Sequence, residues 1–396
     1  MRVVVVGAGS AGLSVAAALR RRGVPAVVLE QGPAVGAAWR GRYAELRLNT
    51  LRRLSDLPGV PIPSRAGRWV TRDDYVAHLE AFAARHEVVV RCAVRVRRID
   101  RAPGGWTVRT DDDDHEAAAV VVATGRAHVP VVPPWPGRST FARPLLHGAD
   151  VTRVSEFAGR RVLVVGGGNS GVDLACQLVA AGAASVQLSV RTPPTILPLQ
   201  MVGVPVQPLG IALRRLPDRT KDAIARAMSR AALGDLTPFG LPRPRVGPYT
   251  RLRTSGVTAA VDRGFAGLVR AGRVRIVADV ACLDADDVVL ADGARVRPDV
   301  VVATTGFRPG LEELVGHLGV LTPSGLPATS PGRPAPGAPG LWFAGFWPAI
   351  EGDLYRHPSE ARRIARGIAR QARRDAEPPR TTALAREPLG GARRRP

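Results

Sequence analysis

RVVVVGAGSAGLSVAAALRRRG (Arg2–Gly23) begins with a short β-branched run, turns through a glycine loop, continues as an alanine-rich helix and stops at Gly23. PAVVLEQ follows as a second strand. Strand, glycine turn, helix and strand make a βαβ unit. The same order returns in RRVLVVGGGNSGVDLACQLVAAGAASVQLSVR, Arg160–Arg191. The chain therefore reads as α/β, with two dinucleotide-binding folds of the Rossmann kind.

The glycines have separate tasks. In Gly7-x-Gly9-x-x-Gly12 the first allows the tight turn, the second lets a pyrophosphate approach the backbone, and the third lets helix and strand pack closely. The helix N-terminus offers unpaired N–H groups and partial positive charge to phosphate. Glu30 ends the next strand, eighteen residues after Gly12, where a carboxylate can accept hydrogen bonds from ribose hydroxyls. Gly166-x-Gly168-x-x-Gly171 repeats the pattern, but its second strand runs into Arg191 instead of an acid. An acid there repels a 2′-phosphate and an arginine attracts one. The first unit is expected to take FAD or NAD and the second NADP.

Between the two units runs VVVATGRAHVPVVPPWPGRSTFARPLLHGADV, Val120–Val151, a buried-looking strand leaving through a proline-rich connection. DVVVATTGFRP (Asp299–Pro309) echoes it. We read the pair as the outward and return crossings of an inserted domain, with the first fold over 1–148 and 293–376 and the second over 149–292. Helices are expected near Asp73–His86, Pro217–Ala232 and Pro358–Arg373, with Asp111–Asp114 as a hairpin tip. Thr192–Thr254 is the least regular section. A disordered tail is expected over 377–396.

The bulk properties fit a soluble enzyme. Hydrophobic residues make up 45% of the 396, and no apolar run approaches the ~20 residues of a membrane span. The first strand starts so early that no signal peptide is expected, which suggests a cytoplasmic protein. The formal charge of +22 invites a nucleic-acid reading, but the basic residues are nearly all scattered arginines, with one lysine, Lys221, and aromatics are only 5%. Nucleic-acid binding and stable membrane insertion are not expected, and the oligomeric state stays open. Cys92, Cys176 and Cys282 are far apart and form no CxxC, which argues against a redox disulfide and a metal site.

With GAGSAGL, VVLEQ, AAWRGRY, LRLNT, VVVATG, RVLVVGGGNSGVDLA, SGVTAAVDRGFAGLVRAGRVRI, ATTGFRP and EARRIARGIA in one order, the chain resembles the class B flavin-dependent monooxygenases, in particular flavin-containing monooxygenases and the YUCCA-like branch. The resemblance implies FAD and NADPH as cofactors. Gly7, Gly9, Ser10 and Gly12 would hold the FAD pyrophosphate, Glu30 the ribose, and Trp39 and Arg40 would cover the cofactor. Gly166, Gly168, Asn169, Ser170, Gly171 and Arg191 would hold NADPH. Asn49 and Thr50 match the Asn-Thr pair that faces flavin and nicotinamide, with Asn49 as the catalytic candidate. The linker fingerprint FxGxxxHxxx(Y/F) is met only by Phe141 and His147; Arg143 and Val151 occupy its glycine and aromatic positions. His147 is read as a hinge or packing residue rather than a general base. The implied activity uses O2 and a C4a-hydroperoxyflavin to place one oxygen atom in a small molecule, either at nitrogen or sulfur or by oxidative decarboxylation of an α-keto acid. The alternatives are an NADPH oxidase or flavin reductase without oxygen transfer, and a flavin-bound regulatory protein linked to cation transport.

Overall fold

The computed structural model describes residues 2–376; the expected tail lies outside them. Two sheets organise the chain, the first parallel except for one antiparallel edge strand, Pro334–Ala335. In the first, strands run in the order Pro334–Ala335, Ala338–Phe343, Ala119–Val122, Val3–Val6, Ala26–Leu29 and Val90–Arg91. In the second the order is Val274–Val277, Ser185–Ser189, Arg161–Val165, Val300–Ala303 and Leu145–His147, parallel throughout. Val3–Val6 and Val300–Ala303 are buried along their whole length. That is the reason they read as continuous valine runs: a central parallel strand is covered on both faces.

The echo between the two valine-rich strands has a topological cause. Ala119–Val122 lies beside Val3–Val6, and Val300–Ala303 beside Arg161–Val165, so each is the same strand of its own unit. This corrects the expected boundaries. Leu145–His147 and Val300–Ala303 fall outside 149–292, yet both pair within the second sheet. The crossings themselves pair with one another, Val129–Pro130 antiparallel to Phe307–Arg308, so the two linkers form one ribbon.

Local chemistry sets the other elements. Helix Arg72–Arg85 starts at Thr71, whose hydroxyl accepts the Asp74 N–H, and Asp73 and Asp74 complement the helix dipole. Asp111–Asp113 lies at the tip between strands Gly105–Thr110 and Asp114–Ala117. The last helix starts at Asp353 rather than Pro358, and the proline is carried inside it. Proline is a poor guide to a start here because packing outweighs its missing N–H: Ala361, Ile364, Ala365 and Ile368 are buried in one cluster with Leu13, Ala16 and Ala17 of helix Ser10–Arg20. No described helix is long and apolar enough to cross a membrane.

Glu360 sits on the buried side of that last helix. Its Oε2 accepts the Gly345 N–H at 3.1 Å, while Oε1 has no partner. Burial pushes its carboxyl up to about 7. A native state that holds this proton is favoured at low pH and loses stability as pH rises from the unfolded value, about 4.3, through the folded one. Glu360→Gln mimics the protonated form. Its melting-temperature advantage over the wild type is expected to be small at pH 5 and to widen by pH 8. A difference that stays constant over this range would show that Glu360 does not titrate there.

Candidate active site

Both glycine loops open into one cavity of about 1360 Å³. Gly7 and Gly166 have φ of +106° and +117°, a region that side chains with a Cβ rarely enter. A Cβ on Gly12 would lie 2.0 Å from the Gly7 carbonyl oxygen, and one on Gly171 would lie 1.9 Å from that of Gly166. These are packing glycines. Gly9 and Gly168 face open space, with nothing within 4 Å of a built Cβ. Helices Ser10–Arg20 and Asn169–Ala180 behind them have no side-chain cap and no acid in the first turn. Each loop therefore has the form of a phosphate cradle.

Glu30 is held where the first unit needs it. Its oxygens accept the Ala8 and Gly32 N–H groups at 2.7 and 2.8 Å, and further lone pairs remain for hydroxyl donors. Ser10 shares a 2.9 Å hydrogen bond with His357 Nδ1, and burial pushes that imidazole down to about 4. Trp39 stands edge-on to Tyr75, ring centroids 4.9 Å apart, and both Trp39 and Thr50 line the cavity. Ser170 lines it beside Gly168 and Asn169. Gly12, Gly166 and Gly171 lie behind the wall as turn and packing glycines, and two expected side chains do not reach it. Arg40 points outward and pairs with Glu80, and Arg191 is exposed just beyond strand Ser185–Ser189.

Asn49 joins the two units. Its Nδ2 donates to Asn169 Oδ1 at 3.0 Å, and its Oδ1 accepts from Arg263 Nε at 2.8 Å. The orientation of both amides is dictated by groups that can only donate. The Val261 N–H, 3.1 Å from Asn169 Oδ1, requires an oxygen there, and the guanidinium requires one on Asn49. One Nδ2–H of Asn49 is left over.

Behind this pair lies a buried charge cluster. Tyr43 donates to Asp173 Oδ2, and Arg263 Nε stands 3.8 Å from Asp173 Oδ1. Arg263 also donates to the Leu48 carbonyl. Burial pushes the Asp173 carboxyl and the Tyr43 hydroxyl up and the Arg263 guanidinium down. Nothing in the sequence singles out Arg263 among so many arginines. Asp353, which pairs with Arg126 at 3.0 Å on the cavity wall, had a usable signal: an acid after a glycine at a helix start.

His147 is fully engaged. The Ala149 N–H donates to Nδ1 at 3.0 Å, so Nε2 carries the proton and donates to the Gly306 carbonyl at 3.1 Å. Its ring packs edge-on against Phe307, tying the outward linker to the return one. The fingerprint departures are accommodated: Arg143 pairs with Asp286 and Val151 is buried in the second unit's core.

The cluster has a stability consequence. Arg263→Met removes the cation and leaves Asp173 buried against Tyr43 alone. A loss of about 3 kcal/mol in chemical denaturation is expected. Adding Asp173→Asn should recover most of it, because the double variant buries no charge. Equal losses in the single and double variants would show that the pair is not coupled.

The comparisons agree with this geometry. The family model described as pyridine nucleotide-disulphide oxidoreductase matches residues 4–200. The indole-3-pyruvate monooxygenase YUCCA1 of Oryza sativa subsp. japonica is 34% identical over 371 residues, spanning 92% of this chain and 90% of the relative. A flavin monooxygenase variant from Stenotrophomonas maltophilia superposes with a TM-score of 0.74 at 25% identity, over 94% of this chain and 98% of that one. OTEMO, solved in complex with FAD and NADP, shares the fold at a TM-score of 0.71 and 16% identity, over 94% and 84% of the two chains. With two nucleotide cradles facing one cavity and a relative matched along nearly its whole length, the chain belongs to the class B flavin-dependent monooxygenase family, and it is an enzyme.

Proposed function

We propose that this enzyme binds FAD in the first cradle and NADPH in the second, and uses O2 to place one oxygen atom in a small organic substrate. The observation that carries the reading is the shared cavity with Asn49 bonded across it to Asn169. Bound flavin, once reduced, supplies the oxygen chemistry. The chain supplies placement. Gly9 and the open end of helix Ser10–Arg20 receive the flavin pyrophosphate, and Glu30 the ribose. Gly168 and the end of helix Asn169–Ala180 receive the nicotinamide dinucleotide, with Arg191 at the 2′-phosphate side. Asn49 would hold its remaining N–H towards the space between the two cofactors. Trp39, Thr50 and the linker residue His147 keep that space walled off from bulk water.

The oxygenating reading is favoured by kinship with the named monooxygenases, and turnover tests it. NADPH consumption, peroxide release and oxygenated product are measured together in the purified protein with a panel of sulfides, amines and α-keto acids. Product formed in proportion to NADPH supports the reading. Peroxide in proportion to NADPH, with no product, would make it an oxidase. Flavin binding without NADPH turnover would favour the regulatory alternative.

Two variants examine the cradles separately. Gly9→Val adds bulk only to open space, so the protein should fold and melt near the wild-type apo protein while failing to retain FAD. Wild-type flavin content in this variant would remove the first cradle. Arg191→Ala should weaken NADPH by about tenfold or more and leave NADH nearly unchanged, the loss of one charged contact. An unaltered NADPH/NADH ratio would make Arg191 a surface arginine.

A further inference from the structure

The only lysine in a chain with 56 basic residues faces the cavity. Lys221 lies on helix Asp218–Leu233, and the residues of that helix that reach the cavity are Lys221, Ile224, Ala225 and Met228. Their spacing puts them on one helical face. Arg219, Arg226 and Arg230 on the same helix are exposed instead. Opposite stand Leu197, Leu199, Leu209 and Leu213, from the section that was least regular in the sequence. Gln207 pins this part to the first unit: its Oε1 accepts the Leu51 N–H at 2.7 Å and its Nε2 donates to the Glu351 carbonyl at 2.6 Å. The result is an apolar compartment of the cavity with one cation in its wall.

That cation shares its acid with a second one. Lys221 Nζ is 2.8 Å from Asp218 Oδ1, but the same carboxylate also holds Arg253 at 2.8 Å. Asp222 is committed elsewhere, accepting the Tyr249 and Thr250 N–H groups and the Thr250 hydroxyl. The ammonium lies 4.6 Å from the centroid of the Tyr249 ring, which also lines the cavity. An ammonium has three donors, so contact with Asp218 leaves donor capacity to spare. A compact ammonium can sit over a ring, touch one acid and still receive a second, whereas a planar guanidinium needs a wider fork.

We propose that Lys221, with the Tyr249 hydroxyl as a second donor, is the specificity-determining residue of the substrate compartment, and that the substrate is an organic carboxylate with an apolar body. The acid group docks on Lys221 and the apolar part lies along Ile224, Met228 and the leucines. Amines are disfavoured there by like charge. This inference rests on the monooxygenase reading for the compartment's role, but its binding test does not depend on turnover.

The test uses the FAD-loaded protein with three matched probes: 4-(methylthio)benzoate, its neutral parent thioanisole, and cationic N,N-dimethylbenzylamine, with phenylacetate and 3-phenylpropionate added to vary length. Binding is measured by titration calorimetry, and KM and kcat where turnover occurs. The wild type should bind at least one carboxylate more tightly than thioanisole. Lys221→Met should weaken that acid by about ten- to a hundredfold, mainly in KM, and leave thioanisole alone. Lys221→Arg should recover part of the loss, which a merely structural role would not predict from charge. Tyr249→Phe should weaken the acid by less. Binding of every acid unchanged in Lys221→Met, preference for the amine, or no acid bound at millimolar concentration would each overturn the proposal. Lys221-dependent acid binding without oxygenated product would instead retain this proposal and reject the monooxygenase reading.

Discussion

Arg263 is the residue on which the relation between the two nucleotide folds turns. It leaves the end of strand Ala260–Asp262 in the second unit and bonds to Asn49 and the Leu48 carbonyl of the first. Asp173 beneath it takes Tyr43, a first-unit residue packed into the second unit's core. Buried pairs of this kind add little net stability, because desolvation offsets most of the attraction. Their effect lies in geometry: a misplaced unit would strand a buried charge, which disfavours other placements. The observed placement brings the two glycine loops to one cavity.

The linker ribbon works in the same direction. Val129–Pro130 and Phe307–Arg308 pair across the crossings, and His147 bonds to Gly306 from the second sheet's edge. Burial lowers the imidazole's affinity for a proton, and both ring nitrogens already have partners. A base needs a free lone pair directed at its substrate, and His147 has none. The histidine of the fingerprint is therefore positional in this chain. Arg143 and Val151 show how loosely the rest of that segment is constrained: one pairs with a surface acid, the other fills core.

Much of the fold was legible because its signals are local. A valine run, three glycines at fixed spacing and an alanine-rich helix require only neighbouring residues to be read. The boundaries were not local. Val300–Ala303 looks the same whichever sheet it joins, and only pairing with Arg161–Val165 assigns it. Within the candidate site, the cradle glycines, Glu30 and Asn49 could be named in advance because backbone geometry or a motif position marks them. Tyr43, Asp173 and Arg263 could not, since they become a group only through tertiary contact. The abundance of arginine made matters worse: with so many on the surface, neither the outward Arg40 nor the buried Arg263 can be told from its neighbours by type.

Rarity restores information in the other direction. Where nearly every basic residue is arginine, a lysine is conspicuous, and the structure puts it in the wall of the cavity. The division of labour in that cavity follows from what each wall is made of. The cradles and the Asn49 bridge are built from glycine turns, helix ends and a buried polar network, which tolerate little change. The wall from Leu197 to Tyr249 is built from helix Asp218–Leu233, shorter helical turns and apolar side chains, tied to the first unit by bonds such as those of Gln207. On the proposed reading, cofactor handling and substrate choice fall to different walls of one cavity, and the wall proposed to choose the substrate comes from the section whose sequence looked least ordered.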